Sequence, residues 1–265
     1  MTKRPLIVLS NDDGIRAGGL LALWRALKKA DIADLIVIAP ETEKSGFGSA
    51  ITWDRPLLIR RTQWYDGNTA WAIDGTPADC IKMGLRVVLD RTPDFIFSGV
   101  NAGSNAGRNV LHSGTIGAVI EGVLRGIPGC ALSCENGDKP NFHIAELYIP
   151  SILEYLMENP LLPGSFFNVN FPHAAQDKVK GFRLTRQGKG RWVEDPILHL
   201  HTPQGPTYWL GGKPEETAEI EDCDIALLRK GYMTAVPIHV HELTDFEEIN
   251  NRKEGFESYF TIKNP

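Results

Sequence analysis

Apolar positions along the chain come as short unbroken runs and as helical repeats, and the two alternate. Residues 6–9 (Leu-Ile-Val-Leu) form an unbroken run, the mark of a strand covered on both faces. Leu20, Leu23, Trp24 and Leu27 then recur at helical spacing, with Arg25, Lys28 and Lys29 on the opposite face. A second run, residues 35–39, is closed by Pro40. Strand, helix and strand in so short a stretch make a βαβ unit, which implies parallel strands and a right-handed crossover. A helix over residues 78–89 leads to a third run at 95–100, and one from about Thr115 to Arg125 leads to a fourth at 130–133. The first half is therefore expected to be a doubly wound α/β sheet.

The second half is less regular. Residues 143–158 read as a helix, 166–171 and 182–185 as strands, 222–230 as a short helix ended by Gly231, and 232–240 as a strand. Between them, residues 186–217 are rich in Gly, Pro, His and Trp without a period, so an extended hairpin, a lid and an interface loop all remain open. No internal repeat, low-complexity tract or flexible linker divides the chain. The expectation is a single domain over residues 1–265, with a core over about 1–135 and a helical and β-rich extension over about 136–265.

Composition changes this picture little, and charge changes it more. The 265 residues are 42% hydrophobic and 23% charged, near the average for a globular protein, which excludes a disordered, collagen-like or coiled-coil chain. A net charge of −5 argues against a general binder of nucleic-acid polymers. An acidic protein that handles phosphate needs local positive charge from a metal, helix N-termini or a few basic side chains. Lys3 and Arg4 precede an apolar run as in a leader, but that run is shorter than the roughly 7–15 residues of a secretory segment. No stretch approaches the roughly 18 apolar residues of a membrane span. Cys80, Cys130, Cys134 and Cys223 have no CxxC spacing and read as buried, reduced thiols of a cytoplasmic protein.

In open α/β sheets, ligands bind outside the carboxyl ends of the strands, so the segment after each strand carries the chemistry. Ser10-Asn11-Asp12-Asp13-Gly14 follows the first strand. Two adjacent carboxylates at a turn can converge on one cation, or can be solvated or cap the next helix. Glu41-Thr42-Glu43-Lys44-Ser45-Gly46 follows the second and, taken alone, reads as a surface loop. Residues 98–109 follow the third with three asparagines and three glycines, and Ser113-Gly114-Thr115 opens a helix whose free N–H groups make an anion site. There is no GxxxxGK[ST], no GxGxxG after the first strand, no HExxH and no GxSxG. The available donors are carboxylate, hydroxyl and amide oxygens, which suit Mg²⁺ or Mn²⁺.

The segments LSNDDG, APETEKSG, IDGTPADC, FSGVNAGSNAG, HSGTIGAVIEG and DCDIALLRKGY, in this order, resemble the SurE survival-protein family. The resemblance implies a Rossmann-like three-layer α/β/α core, one divalent cation (Mg²⁺ or Mn²⁺) per subunit and assembly as a homodimer or homotetramer. It also implies that Asp12, Asp13, Ser45 and Asn101 hold the metal, that Asp12 and Asp13 are catalytic, and that Asn11, Lys44, Asn105, Ser113, Gly114 and Thr115 contact phosphate or substrate. Lys44 stands where the family commonly has Arg, and His112 where it often has an aromatic residue, for which a packing role is the expectation. The implied function is a metal-dependent phosphomonoesterase acting on nucleoside 5′-monophosphates, with 3′-monophosphates and short polyphosphate as further candidates. A nucleotide-sensing protein with little turnover is the alternative. Trp192, Tyr208 and Trp209 are expected at a subunit interface rather than against a base.

Overall fold

The structure is a computed structural model that describes residues 4–135, 141–215 and 222–260. In chain order it contains β1 (Leu6–Ser10), α1 (Gly18–Ala30), β2 (Asp34–Pro40), β3 (Ile59–Gln63), β4 (Thr69–Ile73), α2 (Pro77–Met83), β5 (Phe95–Ala102), α3 (Gly114–Val123), β6 (Gly129–Cys134) and α4 (His143–Glu158). Then come β7 (Ser165–Phe171), β8 (Phe182–Leu184), β9 (Trp192–Val193), β10 (Ile197–Thr202), β11 (Gly205–Trp209), β12 (Lys213–Pro214), α5 (Asp224–Arg229), β13 (Met233–His239) and α6 (Phe246–Tyr259).

A nine-stranded sheet in the order β3-β4-β2-β1-β5-β6-β7-β13-β8 forms the middle layer. Its six central strands, β4 to β7 in that order, are parallel, whereas β3 runs antiparallel to β4 and β13 antiparallel to β7, with β8 parallel to β13. Parallel strands are buried on both faces, which is why β1 and β5 read as unbroken apolar runs. On one face α1 and α4 pack Leu20, Leu23, Leu27, Ile144, Ile149 and Leu153 against Ile7, Leu9 and Phe97. On the other, residues of α2 and α3 such as Ile81 and Ala118 meet Val8, Ile38 and Ile96. The doubly wound sheet expected from the first half is present, within the three-layer α/β/α core that the resemblance implies.

Several elements differ from the sequence reading. The hairpin β3–β4 extends the sheet beyond β2 and was not anticipated. β3 is an edge strand with one aliphatic residue, Ile59, and lacks the continuous run that betrays a central strand. The helix expected over 78–89 stops at Met83 and continues as a single π-type turn, Gly84–Val88. Residues 186–217 contain two antiparallel pairings, β10 with β11 and β9 with β12. Helix α6 was also missed, because it has no buried residue and therefore no apolar face toward this chain. Pro237 lies inside β13 without disrupting the sheet. β8 pairs only with Met233, Thr234 and Ala235, so the missing N–H falls where no neighbour needs it. Among the described residues no helix is long and apolar enough to cross a membrane.

Candidate active site

β1, β2 and β5 are parallel and adjacent, so the three segments singled out above leave the same edge of the sheet. The chain turns sharply after β1. Gly14 takes a φ of +100°, and a side chain there would press on the backbone of Thr42 at 3.3 Å, so glycine both permits the turn and lets the two loops touch. Asn11 is buried and its Nδ2 donates to the Gly14 carbonyl at 3.0 Å, while its Oδ1 is buried with no partner. The two loops are tied directly where the Lys44 N–H donates to the Asp12 carbonyl at 2.6 Å.

Asp12 is 3% exposed, and its carboxylate accepts the Thr115 hydroxyl proton in a short hydrogen bond. Burial pushes the Asp12 carboxyl up, and hydrogen bonds from the Thr115 side chain and from the Thr115 and Gly114 backbone pull it partly back. Asp13 is half-buried and its Oδ2 accepts from the Ala102 N–H at 3.2 Å. Burial, with the charge of Asp12 beside it, pushes Asp13 up to about 6. Two carboxylates, each raised by burial and neither in an ion pair among the described residues, ask for a cation. Gly114 brings α3 close to them, since a Cβ there would sit 2.8 Å from the Asp12 Cβ.

Asn101 is on the last turn-in of β5, and its Nδ2 donates to the Gly103 carbonyl at 2.7 Å, which directs its Oδ1 away from that bond. The Ser45 hydroxyl donates to the Glu43 carboxylate at 2.9 Å, which leaves the oxygen lone pairs of Ser45 for another partner. Asp12, Ser45, Asn101, Asn105, His112 and Ser113 all line one cavity of about 440 Å³. Asn11, Asp13, Lys44, Gly114 and Thr115 stand behind or beside this lining. The Lys44 ammonium lies 5.5 Å from the centre of the Phe47 ring, and Thr115 is fully buried with its hydroxyl spent on Asp12. His112 is exposed at the cavity rim.

The far wall of the cavity comes from the irregular segment, through Trp192, Val193, Glu194, Leu210 and Gly211. The Trp192 N–H donates to Asn109 Oδ1 at 3.1 Å and the Arg108 N–H to the Gly190 carbonyl at 2.8 Å, so this segment is moored to the loop after β5. An adjoining cavity of about 520 Å³ shares Ser104, Asn109 and Trp192 with the first.

Some site residues escaped the sequence reading. Glu43 is one, and nothing in the spacing separates it from Glu41, whose carboxylate is taken by Arg60. Asn168 and Asn170 on β7 are others. Asn170 Oδ1 accepts from the Asn105 N–H at 2.8 Å and Asn168 Nδ2 donates to the Asn105 carbonyl at 2.9 Å, while Asn105 Nδ2 donates to Ser133 Oγ at 2.8 Å. The alternation Phe-Asn-Val-Asn-Phe within a buried strand was the available signal, since fully buried amides need partners.

The donor set fits a hard divalent cation: two carboxylates, a hydroxyl and an amide oxygen at one sheet edge, with the buried, unpartnered Asn11 oxygen next to them. Among the described residues no three His, Cys, Asp or Glu side chains converge to hold a metal, so the neutral oxygens of Ser45 and Asn101 are needed to complete such a site.

Comparison with known proteins is consistent along the whole chain. Residues 7–194 match the family described as Survival protein SurE. A 5′-nucleotidase SurE of Protochlamydia amoebophila is 45% identical over 261 residues, covering 98% of this chain and 99% of the relative. A 5′-nucleotidase SurE of Caldanaerobacter subterraneus subsp. tengcongensis is 38% identical, covering 92% of this chain and 94% of its own. The crystal structure of a SurE protein from Aquifex aeolicus superposes with a TM-score of 0.80 at 31% identity, over 95% of this chain and 100% of that one.

Proposed function

The chain belongs to the SurE family, and from that premise we propose that it is a divalent-metal-dependent phosphatase of nucleoside monophosphates, a 5′-nucleotidase. The observation that carries the metal assignment is the Asp12–Asp13 doublet, in no ion pair among the described residues, beside the one cavity that Asp12, Ser45 and Asn101 line. Asp12, Asp13, Ser45 and Asn101 hold one Mg²⁺ or Mn²⁺ per subunit. When bound, the cation supplies Lewis acidity to a phosphoryl oxygen and to the attacking water.

The chain's own groups do the rest. Asp12 is locked by Thr115 and so fixes the ligand geometry, whereas Asp13, the more exposed of the two, takes the proton from the attacking water. Glu43 accepts the Ser45 proton and so keeps a lone pair of that hydroxyl pointed into the cleft. The phosphate lies against the N-terminus of α3, where the Ser113 hydroxyl donates to its oxygens and the Gly114 and Thr115 N–H groups, shared with the Asp12 carboxylate, add the positive end of the helix. Asn11 and Asn105 flank it. For Asn105 to donate, its amide turns over and Ser133 Oγ donates to Oδ1 instead. Lys44 reaches the phosphate by leaving the Phe47 ring. The neighbouring cavities leave room for a nucleoside beyond the phosphate.

Residues 1–265 act as one domain, and two or four copies assemble through the extension. Ile197, Tyr208, Trp209 and Leu210 on and beside the β10–β11 hairpin, and Phe246, Phe256 and Tyr259 on α6, are exposed in this chain, which supports that reading. Four buried cysteines that form no disulfide with one another support a cytoplasmic location. Phosphate release from a panel of 5′- and 3′-monophosphates and short polyphosphate, with Mn²⁺, Mg²⁺ or EDTA, tests the function. Release from nucleoside monophosphates that EDTA abolishes is the expected result, and nucleotide binding without release would overturn the enzyme in favour of a sensor.

A further inference from the structure

The Gly75-Thr76-Pro77-Ala78-Asp79-Cys80 segment has no part in the chemistry described so far, yet it holds a buried charge. Asp79 is 2% exposed. Its carboxylate accepts from the Thr76 N–H at 2.9 Å, and its own N–H donates to Thr76 Oγ1 at 3.1 Å, a reciprocal cap on the first turn of α2. A cap of that kind needs only one carboxylate contact. Here the same carboxylate also accepts the Thr52 N–H at 3.0 Å and the Thr52 hydroxyl at 2.7 Å, 27 residues away in sequence. Thr76 Oγ1 reaches the same loop and donates to the Ala50 carbonyl at 2.7 Å.

This loop carries Ser45. From Thr52 the bonding runs back through Ala50, whose N–H donates to the Phe47 carbonyl at 3.0 Å, to Gly48, whose N–H donates to the His112 carbonyl at 3.0 Å. It ends at Lys44, bonded to the Asp12 carbonyl. Ser45 is itself exposed and its hydroxyl bonds Glu43 within the same loop, so its place over the cleft is set by this chain of bonds. One end is the metal loop, and the other is Asp79.

We propose that Asp79 is a positioning residue for the metal site, the clamp that holds residues 44–52 so that Ser45 faces Asp12, Asp13 and Asn101. The proposal rests on the reading of Ser45 as a metal ligand. Asp79 does not touch the metal or the substrate. Its loss widens the range of Ser45 positions without removing a donor from the set. Groups that orient metal ligands typically cost about 10–100-fold in affinity when removed.

Three readouts on intact protein test it: Mn²⁺ affinity by titration calorimetry, amide hydrogen exchange over residues 44–52, and KM against kcat for AMP. In Asp79→Asn one acceptor oxygen becomes an amide that confronts the donors of Thr52 and Thr76. The expected result, below the melting transition of the variant, is Mn²⁺ binding weakened by about tenfold with faster exchange over 44–52. KM is expected to rise more than kcat falls. Thr52→Val removes only the hydroxyl from the loop side and leaves Asp79 and its cap in place. It is expected to weaken Mn²⁺ binding in the same direction by a smaller factor, and it decides the matter if Asp79→Asn does not fold. Wild-type Mn²⁺ affinity in either folded variant would overturn the proposal, because a cap that merely stabilises α2 lowers the melting temperature without moving the metal. Failure of the underlying reading is distinct. It appears as wild-type protein that binds no Mn²⁺, and unchanged exchange over 44–52 in both variants would then dispose of the clamp as well.

Discussion

The strands under the cleft and the hairpin that walls it have opposite relations to the rest of the chain. Residues 95–100 of β5 are all buried, with Phe97 fully so between α1 and the neighbouring strands. On β9 and β11, Trp192, Tyr208 and Trp209 are 54%, 58% and 64% exposed. The first region is specified by contacts within one molecule. The second places large aromatic groups in water, where their burial would contribute roughly 25 cal/mol per Å² if something covered them. The strands are satisfied within one chain, whereas the exposed aromatics are the surface proposed above to meet further copies.

The largest expected effect breaks the first region. Phe97→Ala should lower the unfolding free energy by about 3–5 kcal/mol, read from urea denaturation, because it leaves a cavity under the metal loop. Trp209→Ala should cost under about 0.5 kcal/mol within one chain but shift the oligomer mass in light scattering or sedimentation, with the KM for AMP unchanged. A mass unchanged by that substitution, with a raised KM, would place Trp209 against the substrate and not at an interface.

Proton linkage sharpens the comparison on the cleft side. Burial and Asp12 raise Asp13 to about 6 in the folded chain, so without metal its contribution to stability is full below its ordinary value near 3.8 and is lost as pH rises toward 6. The metal-free protein should therefore melt lower at pH 7 than at pH 5 on account of this group. Mn²⁺ affinity should run the other way, rising up to about tenfold per pH unit between pH 5 and 6 and levelling above, since the ligands must be ionised to bind. Hairpin variants should leave that profile untouched. The smallest expected effect is none at all: burial pushes the Cys134 thiol up to about 12 and holds Cys80 and Cys130 well above the ordinary thiol range, so native protein should not react with a thiol reagent at pH 8 and unfolded protein should expose four thiols.

The same contrast explains what could be read from sequence. Strands β1, β2, β5, β6 and β7 were legible because parallel strands buried on both faces are largely apolar, and the three site segments because the sheet's topology says where its strands end. Asp12, Ser45 and Asn101, singled out by the family resemblance, line one cavity at that sheet edge. Helix α6 was invisible because amphipathicity is a pattern against the chain's own core, and α6 has none. The edge strand β3 was lost for a related reason, since its exposed residues alternate too briefly to stand out. The bonds from Asn168 and Asn170 to Asn105 and the clamp from Asp79 to Thr52 depend on which polar groups face each other across long stretches of chain, which a local pattern does not encode, and nothing local separates Glu43 from Glu41.

The central claim is that the Asp12–Asp13 pair, with Ser45 and Asn101, binds one divalent cation on which phosphate release depends. Mn²⁺ binding and phosphate release from AMP, measured on the same samples of wild type and Asp13→Asn, test it most directly. One Mn²⁺ per chain in the wild type, with binding and release both falling by at least about a hundredfold in the variant, is the predicted result. A variant that keeps wild-type Mn²⁺ affinity and turnover would contradict it.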